Sequence, residues 1–164
     1  MAGRRAFVLA FAASTLTACG FELRRAPELR FKTIQLTGFP PRSPLAADLK
    51  RSIDASTTTQ VVDAAKDAEV VLQALEEERQ KTSVAVTAAN QIREFELRLR
   101  FAFRLLDPTG KVLIPDSEIL LTRSLTYTET AALGKEQEEA FLYRAMQNDI
   151  VSQVLRRLAS VRPL

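Results

Sequence analysis

From Arg93 to Leu105 the chain alternates without a break. Odd positions read Arg93, Phe95, Leu97, Leu99, Phe101, Phe103 and Leu105; even positions read Glu94, Glu96, Arg98, Arg100, Ala102 and Arg104. Successive side chains of an extended strand point to opposite faces, so a period of two gives one long strand an apolar face and a charged face. A helix cannot use this pattern, because its period of about 3.6 would wind the phenylalanines and leucines around every side. Asp107-Pro108-Thr109-Gly110 follows, with proline and glycine at the second and fourth places of a type I turn, and Val112 to Thr128 reads as the returning antiparallel strand. A hairpin of this length with one apolar face needs a covering layer.

Two helical stretches can supply it. Ser43 is placed as an N-cap with Pro44 at the first helical position, and Leu45, Leu49 and Ile53 form one stripe on a helix running to about Ala55. From about Thr130 the period changes again: Leu142, Met146, Ile150 and Val154 recur every four residues, with Phe141, Ala145, Leu155 and Leu158 widening the stripe. Glu136, Glu138 and Glu139 lie early in this segment and Arg156, Arg157 and Arg162 late, which suits the helix dipole.

The remaining elements are shorter. Arg30 to Leu36 reads as a first strand, closed by Gly38 and Pro40-Pro41, and Gln60 to Asp63 as a short extended piece. Ala68 to Leu75 fits either helix or strand, and its valines favour strand. Glu76 to Lys81 reads as a solvated edge or the end of a strand, and Ser83 to Thr87 as strand again before a turn at Ala88-Ala89-Asn90. The expected fold is α+β, a two-layer sandwich of a mostly antiparallel four-stranded sheet with two helices packed on one face.

The first twenty residues are of another kind. Arg4 and Arg5 precede an uncharged apolar run from Ala6 to Leu16, then the small residues Thr17 and Ala18, then Cys19. A charged start, a short apolar run and a small-residue cleavage site make a secretory signal peptide, and the run is shorter than the ~20 residues a membrane span needs. A buried N-terminal element would explain neither the arginines before the run nor the cysteine after it. Leu16-Thr17-Ala18-Cys19 also resembles the bacterial lipobox, in which the cysteine is diacylated and becomes the first mature residue. Two or more acyl chains give stable membrane residence where one gives only marginal binding. Gly20 in place of aspartate at the next position points to the outer membrane. The expected division is a cleaved signal peptide at 1–18, a lipidated N-terminus and tether at 19–29, and a single domain at 30–164.

Composition then excludes several function classes. The chain has no histidine and one cysteine, so neither a histidine base nor an intrachain disulfide nor a cysteine-rich zinc site is available. Lys+Arg number 23 against 20 Asp+Glu; without Arg4 and Arg5 this becomes 21 against 20, too even for a nucleic-acid binder. No glycine-flanked serine or converging acidic pair stands out, which leaves little for an enzyme to work with. The open question is the charged strand face. Arg98, Arg100 and Arg104 at alternate positions form either a solvated outer surface or a face that grips anions or a partner. Arg123 falls in register with Ile119, Leu121, Leu125 and Tyr127. It therefore sits at the sheet's rim, follows a bulge, or is buried with a carboxylate.

The ordered set of motifs resembles one family, the LPS-assembly lipoproteins (LptE). Cys19-Gly20-Phe21-Glu22-Leu23-Arg24 is similar to its Cys-Gly-aromatic-x-Leu-Arg mature start, Glu94-Phe95-Glu96-Leu97 to the opening of its long strand, and Arg123-Ser124-Leu125 to a later strand segment. Ala132 to Glu138, Met146, Asp149 and Leu155-Arg156-Arg157-Leu158 are similar to its last helix. The resemblance implies two helices on a four-stranded sheet, no cofactor beyond the covalent lipid on Cys19, and no catalysis. It also implies an outer-membrane partner, the β-barrel LptD, whose lumen the domain plugs and whose assembly it assists, together with contact to lipopolysaccharide. Where the family carries basic residues proposed to touch lipopolysaccharide, this chain reads Thr87 to Asn90 and Leu120-Leu121. The candidate lipopolysaccharide- or partner-binding residues are therefore Arg93, Arg98, Arg100, Arg104 and Arg123, taken on charge and alternation. The other reading is a periplasm-facing lipoprotein adaptor for a different envelope partner.

Overall fold

The computed structural model describes residues 28–56, 58–86, 91–128 and 132–161. The expected signal peptide, Cys19 and the turn at Ala88-Ala89-Asn90 lie outside the described residues. In chain order the elements are β1 (Thr33–Thr37), α1 (Pro44–Asp54), β2 (Gln60–Val62), a 3-10 turn at Ala65–Asp67, β3 (Val70–Val86), β4 (Ile92–Leu106), β5 (Val112–Thr126) and α2 (Ala132–Ala159).

The sandwich is as expected; the sheet differs from expectation in strand count and direction. It has five strands in the order β2-β1-β3-β4-β5 and is mixed, because β1 runs parallel to both β2 and β3 while β3, β4 and β5 are antiparallel. The short piece at Gln60 is thus a full member: Thr33, Ile34 and Gln35 align with Gln60, Val61 and Val62. Three residues carry too little pattern to reveal a parallel partner 27 positions away. The segments expected as separate strands around Glu76–Lys81 are one strand of 17 residues.

The core lies between one face of the sheet and the two helices. Leu97, Leu99, Phe101, Phe103 and Leu105, the alternate positions of β4, are all buried, together with Ile34, Leu72, Leu45, Leu49 and Ile53, and Met146, Ile150, Val154 and Leu158 of α2. Phe39, Phe101 and Phe103 stack in sequence with centroids 5.7 and 5.5 Å apart. Leu29 and Phe31 are buried in the same core. Phe141 and Ala145, expected on the buried stripe, are exposed. At about 100° per residue they fall off the face set by Tyr143, Gln147, Ile150, Val154 and Leu158.

α1 begins as its sequence demands. The Ser43 hydroxyl accepts from the Ala46 amide at 3.0 Å and Pro44 fills the first position. Gly38, at φ 78°, carries the chain from β1 toward that cap across β3: a Cβ there would lie 2.2 Å from the Ala74 carbonyl oxygen.

One irregularity decides which charges face the helices. Between Ala74 and Glu76 the β3–β4 register slips by one residue, so that Ala74 opposes Phe103 but Glu77 opposes Phe101. A bulge of this kind inverts the facing of everything beyond it. Val70, Leu72 and Ala74 face the core before it; Glu77, Arg79 and Lys81 share the helix side after it, and Glu76, Glu78 and Gln80 turn outward.

Candidate functional site

The structure separates the five candidate arginines onto two faces. Arg98, Arg100 and Arg104 stand on the outer face of β4, and each is already engaged. Arg98 is 2.6 Å from Glu96, and Arg100 contacts Glu118 at 2.7 Å and Glu76 at 3.3 Å. Arg104 donates to the Gln73 side chain at 2.9 Å and lies 3.9 Å from Asp116. The hydrogen bond from Arg100 to Glu118, reinforced by that charge and by Glu76, raises the guanidinium pKa above its ordinary value. This face is polar but nearly balanced, and its pairs are exposed enough that solvent screens most of their attraction.

Arg93 and Arg123 belong to the other face. Arg93 has the parity of the buried positions of β4, and Arg123 lies opposite Leu97. Both are exposed, and among the described residues no carboxylate pairs with either. Arg123 therefore sits at the rim of edge strand β5, one of the three places open to it, and its Nη1 donates to the neighbouring Thr122 carbonyl at 2.8 Å.

The charges turned inward by the bulge form a second polar region that sequence reasoning missed. A groove of about 790 Å³ runs between β3, the start of α1 and the N-terminal half of α2, with Asp48, Arg79, Lys81, Tyr143, Arg144 and Gln147 on its walls. Gln147, buried, accepts from Arg79 at 2.5 Å and donates to Asp48 at 2.5 Å. Lys81 pairs with Glu139 at 2.5 Å and stands over the Phe95 ring, 4.3 Å from its centroid. Tyr143 donates to the Gln80 carbonyl at 2.8 Å and lies beneath the Arg79 guanidinium. Desolvation raises the Tyr143 pKa, with Glu139 adding to the effect and Arg79 opposing it. The only local signal was the run Glu76–Lys81, whose partners come from remote positions. Three cations face three carboxylates here, so the groove welds layers together rather than presenting one sign of charge.

Among the described residues no group of three or more cysteine or acidic side chains could hold a metal ion, and no described helix is long and apolar enough to cross a membrane.

Comparison with known proteins agrees with this architecture. Residues 31–158 match the family described as Lipopolysaccharide-assembly, LptE. The chain is 25% identical over 156 residues to the LPS-assembly lipoprotein LptE of Photorhabdus laumondii, covering 94% of this chain and 84% of that one. Among solved structures it is similar to an uncharacterized lipoprotein B from Nitrosomonas europaea, with 37% identity, a TM-score of 0.74, and coverage of 86% of this chain and 91% of the other. A minor lipoprotein from Acinetobacter baumannii, 21% identical, shares the fold with a TM-score of 0.64 over 81% and 94% of the two chains. The match over most of its length decides the matter: the chain belongs to the LptE family of lipopolysaccharide-assembly lipoproteins, a non-enzymatic family.

Proposed function

We propose that the protein is anchored in the outer membrane through lipid on Cys19 and works there as the plug and assembly partner of the β-barrel LptD, taking part in the insertion of lipopolysaccharide into the outer leaflet. Family membership supports the assembly role. The observation that carries the plug reading is the outer sheet face, on which Arg98, Arg100 and Arg104 hold Glu96, Glu118, Glu76 and Asp116. A domain held in a wide, water-lined barrel needs a polar surface whose charges are matched, and such a lumen must be filled to avoid a leak. Arg93, which has no carboxylate among the described residues, is the position for lipopolysaccharide phosphates, and Arg123, equally without one, is a position for the protein partner.

The test is to express the full-length chain with a C-terminal tag, extract membranes in mild detergent and identify what co-elutes. One large outer-membrane barrel at equal stoichiometry is the expected result. A lone lipoprotein, with the barrel expressed but absent from the eluate, would overturn the plug reading. The ligand assignment is tested by binding of lipopolysaccharide to the purified chain. Arg93→Glu weakens binding most, Arg98→Glu with Arg100→Glu weakens it less, and unchanged binding in both variants would sink it.

A further inference from the structure

Among the described residues the sheet leaves two long backbone edges open, and they are built differently. Beyond Gln73, which pairs with the end of β1, one side of β3 has no strand beside it among the described residues. That edge carries Glu76, Glu77, Glu78, Arg79 and Lys81 and is broken by register shifts near Leu75 and Val84, the devices by which natural edges discourage pairing. β5 has neither. From Ser117 to Thr126 its register against β4 is unbroken, and the segment contains no proline, no glycine and only two charges, Glu118 and Arg123.

The pairing phase of that edge is determined. Tyr127 donates its amide to the Arg93 carbonyl at 2.8 Å, which makes Arg93 and Tyr127 a hydrogen-bonded pair. In an antiparallel ladder such pairs alternate with open ones. Ser117, Ile119, Leu121, Arg123 and Leu125 therefore bond to β4, while Glu118, Leu120, Thr122, Ser124 and Thr126 aim their amides and carbonyls away from the sheet. Two of these carbonyls are held by arginines from the helix side: Thr122 by Arg123 at 2.8 Å and Glu118 by Arg157 at 3.4 Å. Among the described residues neither guanidinium has a carboxylate.

We propose that the Ser117–Thr126 edge of β5 receives an extended segment of a partner polypeptide as a sixth strand, with acidic side chains at i and i+4 on its helix-side face to take Arg123 and Arg157. The outward carbonyls of Glu118 and Thr122 are four residues, about 13 Å, apart along the strand, and i and i+4 of an incoming strand share one face at the same spacing. On the other face the partner meets Leu120, Thr122 and Ser124, with Glu118 occupied by Arg100, so it needs no charge there. A second copy of this chain is a poor fit: antiparallel pairing centred on Thr122 sets the two Arg123 side chains beside one another on the same face. The inference rests on the reading that the chain works in a complex, and it does not depend on which polypeptide is the partner.

Hydrogen–deuterium exchange tests it directly, comparing full-length protein in isolated outer membranes with the purified chain in detergent. The amides of Leu120, Thr122 and Ser124 are expected to exchange at least tenfold more slowly in membranes. Equal exchange in the two samples would overturn the proposal, and protection that grows with concentration in the purified chain alone would overturn it in favour of self-pairing. Two variants complete the test. Thr122→Pro removes an outward amide without touching the β4 ladder, and Arg123→Glu reverses the charge at an exposed position. Both are expected to lose the membrane protection of the neighbouring amides while unfolding at the wild-type midpoint; protection retained in both would count against the docked strand. A barrel that co-elutes while these amides exchange freely sinks this inference alone. Protected amides without a barrel sink the plug reading alone.

Discussion

Gln147 and Asp48 are 99 positions apart in sequence, and the Gln147 amide nitrogen donates to the Asp48 carboxylate at 2.5 Å. The same side chain accepts from Arg79. One neutral amide thus joins α2, α1 and β3, with its donor turned to the anion and its acceptor to the cation. Its alternatives at that site are unattractive: a carboxylate would repel Asp48, and an apolar residue would leave two charged groups short of a partner.

Gln147→Leu is therefore expected to destabilise the fold by about 1–3 kcal/mol although its volume and burial are conserved. Urea unfolding should show a lower midpoint with an unchanged slope. A midpoint equal to wild type would mean the bridge contributes nothing net.

The two described glycines at positive φ differ in what surrounds them. Gly38 sits against the Ala74 carbonyl, whereas Gly110, at φ 90°, has no atom within 4 Å of where a Cβ would be. Gly110→Ala should cost only the backbone term, about 1 kcal/mol. Gly38→Ala adds a clash with main chain and should cost upward of about 2 kcal/mol. Equal losses in thermal unfolding would refute the steric account.

Ser43 does two jobs: its hydroxyl accepts from the Ala46 amide and donates to Glu77 at 2.6 Å. Ser43→Ala removes the cap and strands the carboxylate turned inward by the bulge, for an expected loss of about 1–2 kcal/mol. Ser43→Asp keeps a cap but faces Glu77 with a second negative charge, so it should not restore stability. Denaturant midpoints of the two variants separate capping from the Glu77 contact.

Acid weakens the β4–β5 turn. The Asp107 carboxylate accepts from the Thr109 hydroxyl, and from the Thr109 and Lys111 amides, which lowers its pKa below the ordinary 3.8. Asp54 is lowered likewise, chiefly by the Val61 amide. For a depressed carboxylate the stabilisation is complete above the unfolded value and is lost as pH falls through the folded one. Stability should thus be level in these two terms above about pH 5 and decline below pH 4. Asp107→Asn should decline less steeply there, as read from thermal midpoints across that range.

What was legible in the sequence were the features whose cause is local. The alternation from Arg93 to Leu105 needs only one buried face, and Ser43-Pro44 needs only an unsatisfied helix start. Other features depended on distant partners. The bulge near Leu75 turns Glu77, Arg79 and Lys81 toward Ser43, Gln147 and Glu139, none of which is near in sequence. Gln60–Val62 is too short to carry a pattern, so its parallel pairing with β1 was hidden. Spacings of four misassigned Phe141 and Ala145 because the buried side of α2 also takes polar Gln147 and Tyr143. Arg123 kept core parity yet reached solvent because it stands on the last strand, where the core face ends in a rim.

The strand order has a consequence for how such a chain comes together. β1 is the first described element, yet it lies inside the sheet, and its neighbours arrive late: Thr33 waits for Gln60, and Ile34 for Val70. β4 and β5, in contrast, are joined by the tight turn at Asp107–Gly110 and close over short distances. A polypeptide delivered N-terminus first therefore exposes β1 before anything exists to receive it, and non-local pairs of this kind close slowly. Contact order thus favours closure of the β4–β5 hairpin before β1 finds its neighbours, the reverse of the order of synthesis. With three residue pairs, the β1–β2 margin is also the seam of the sheet with the fewest paired residues.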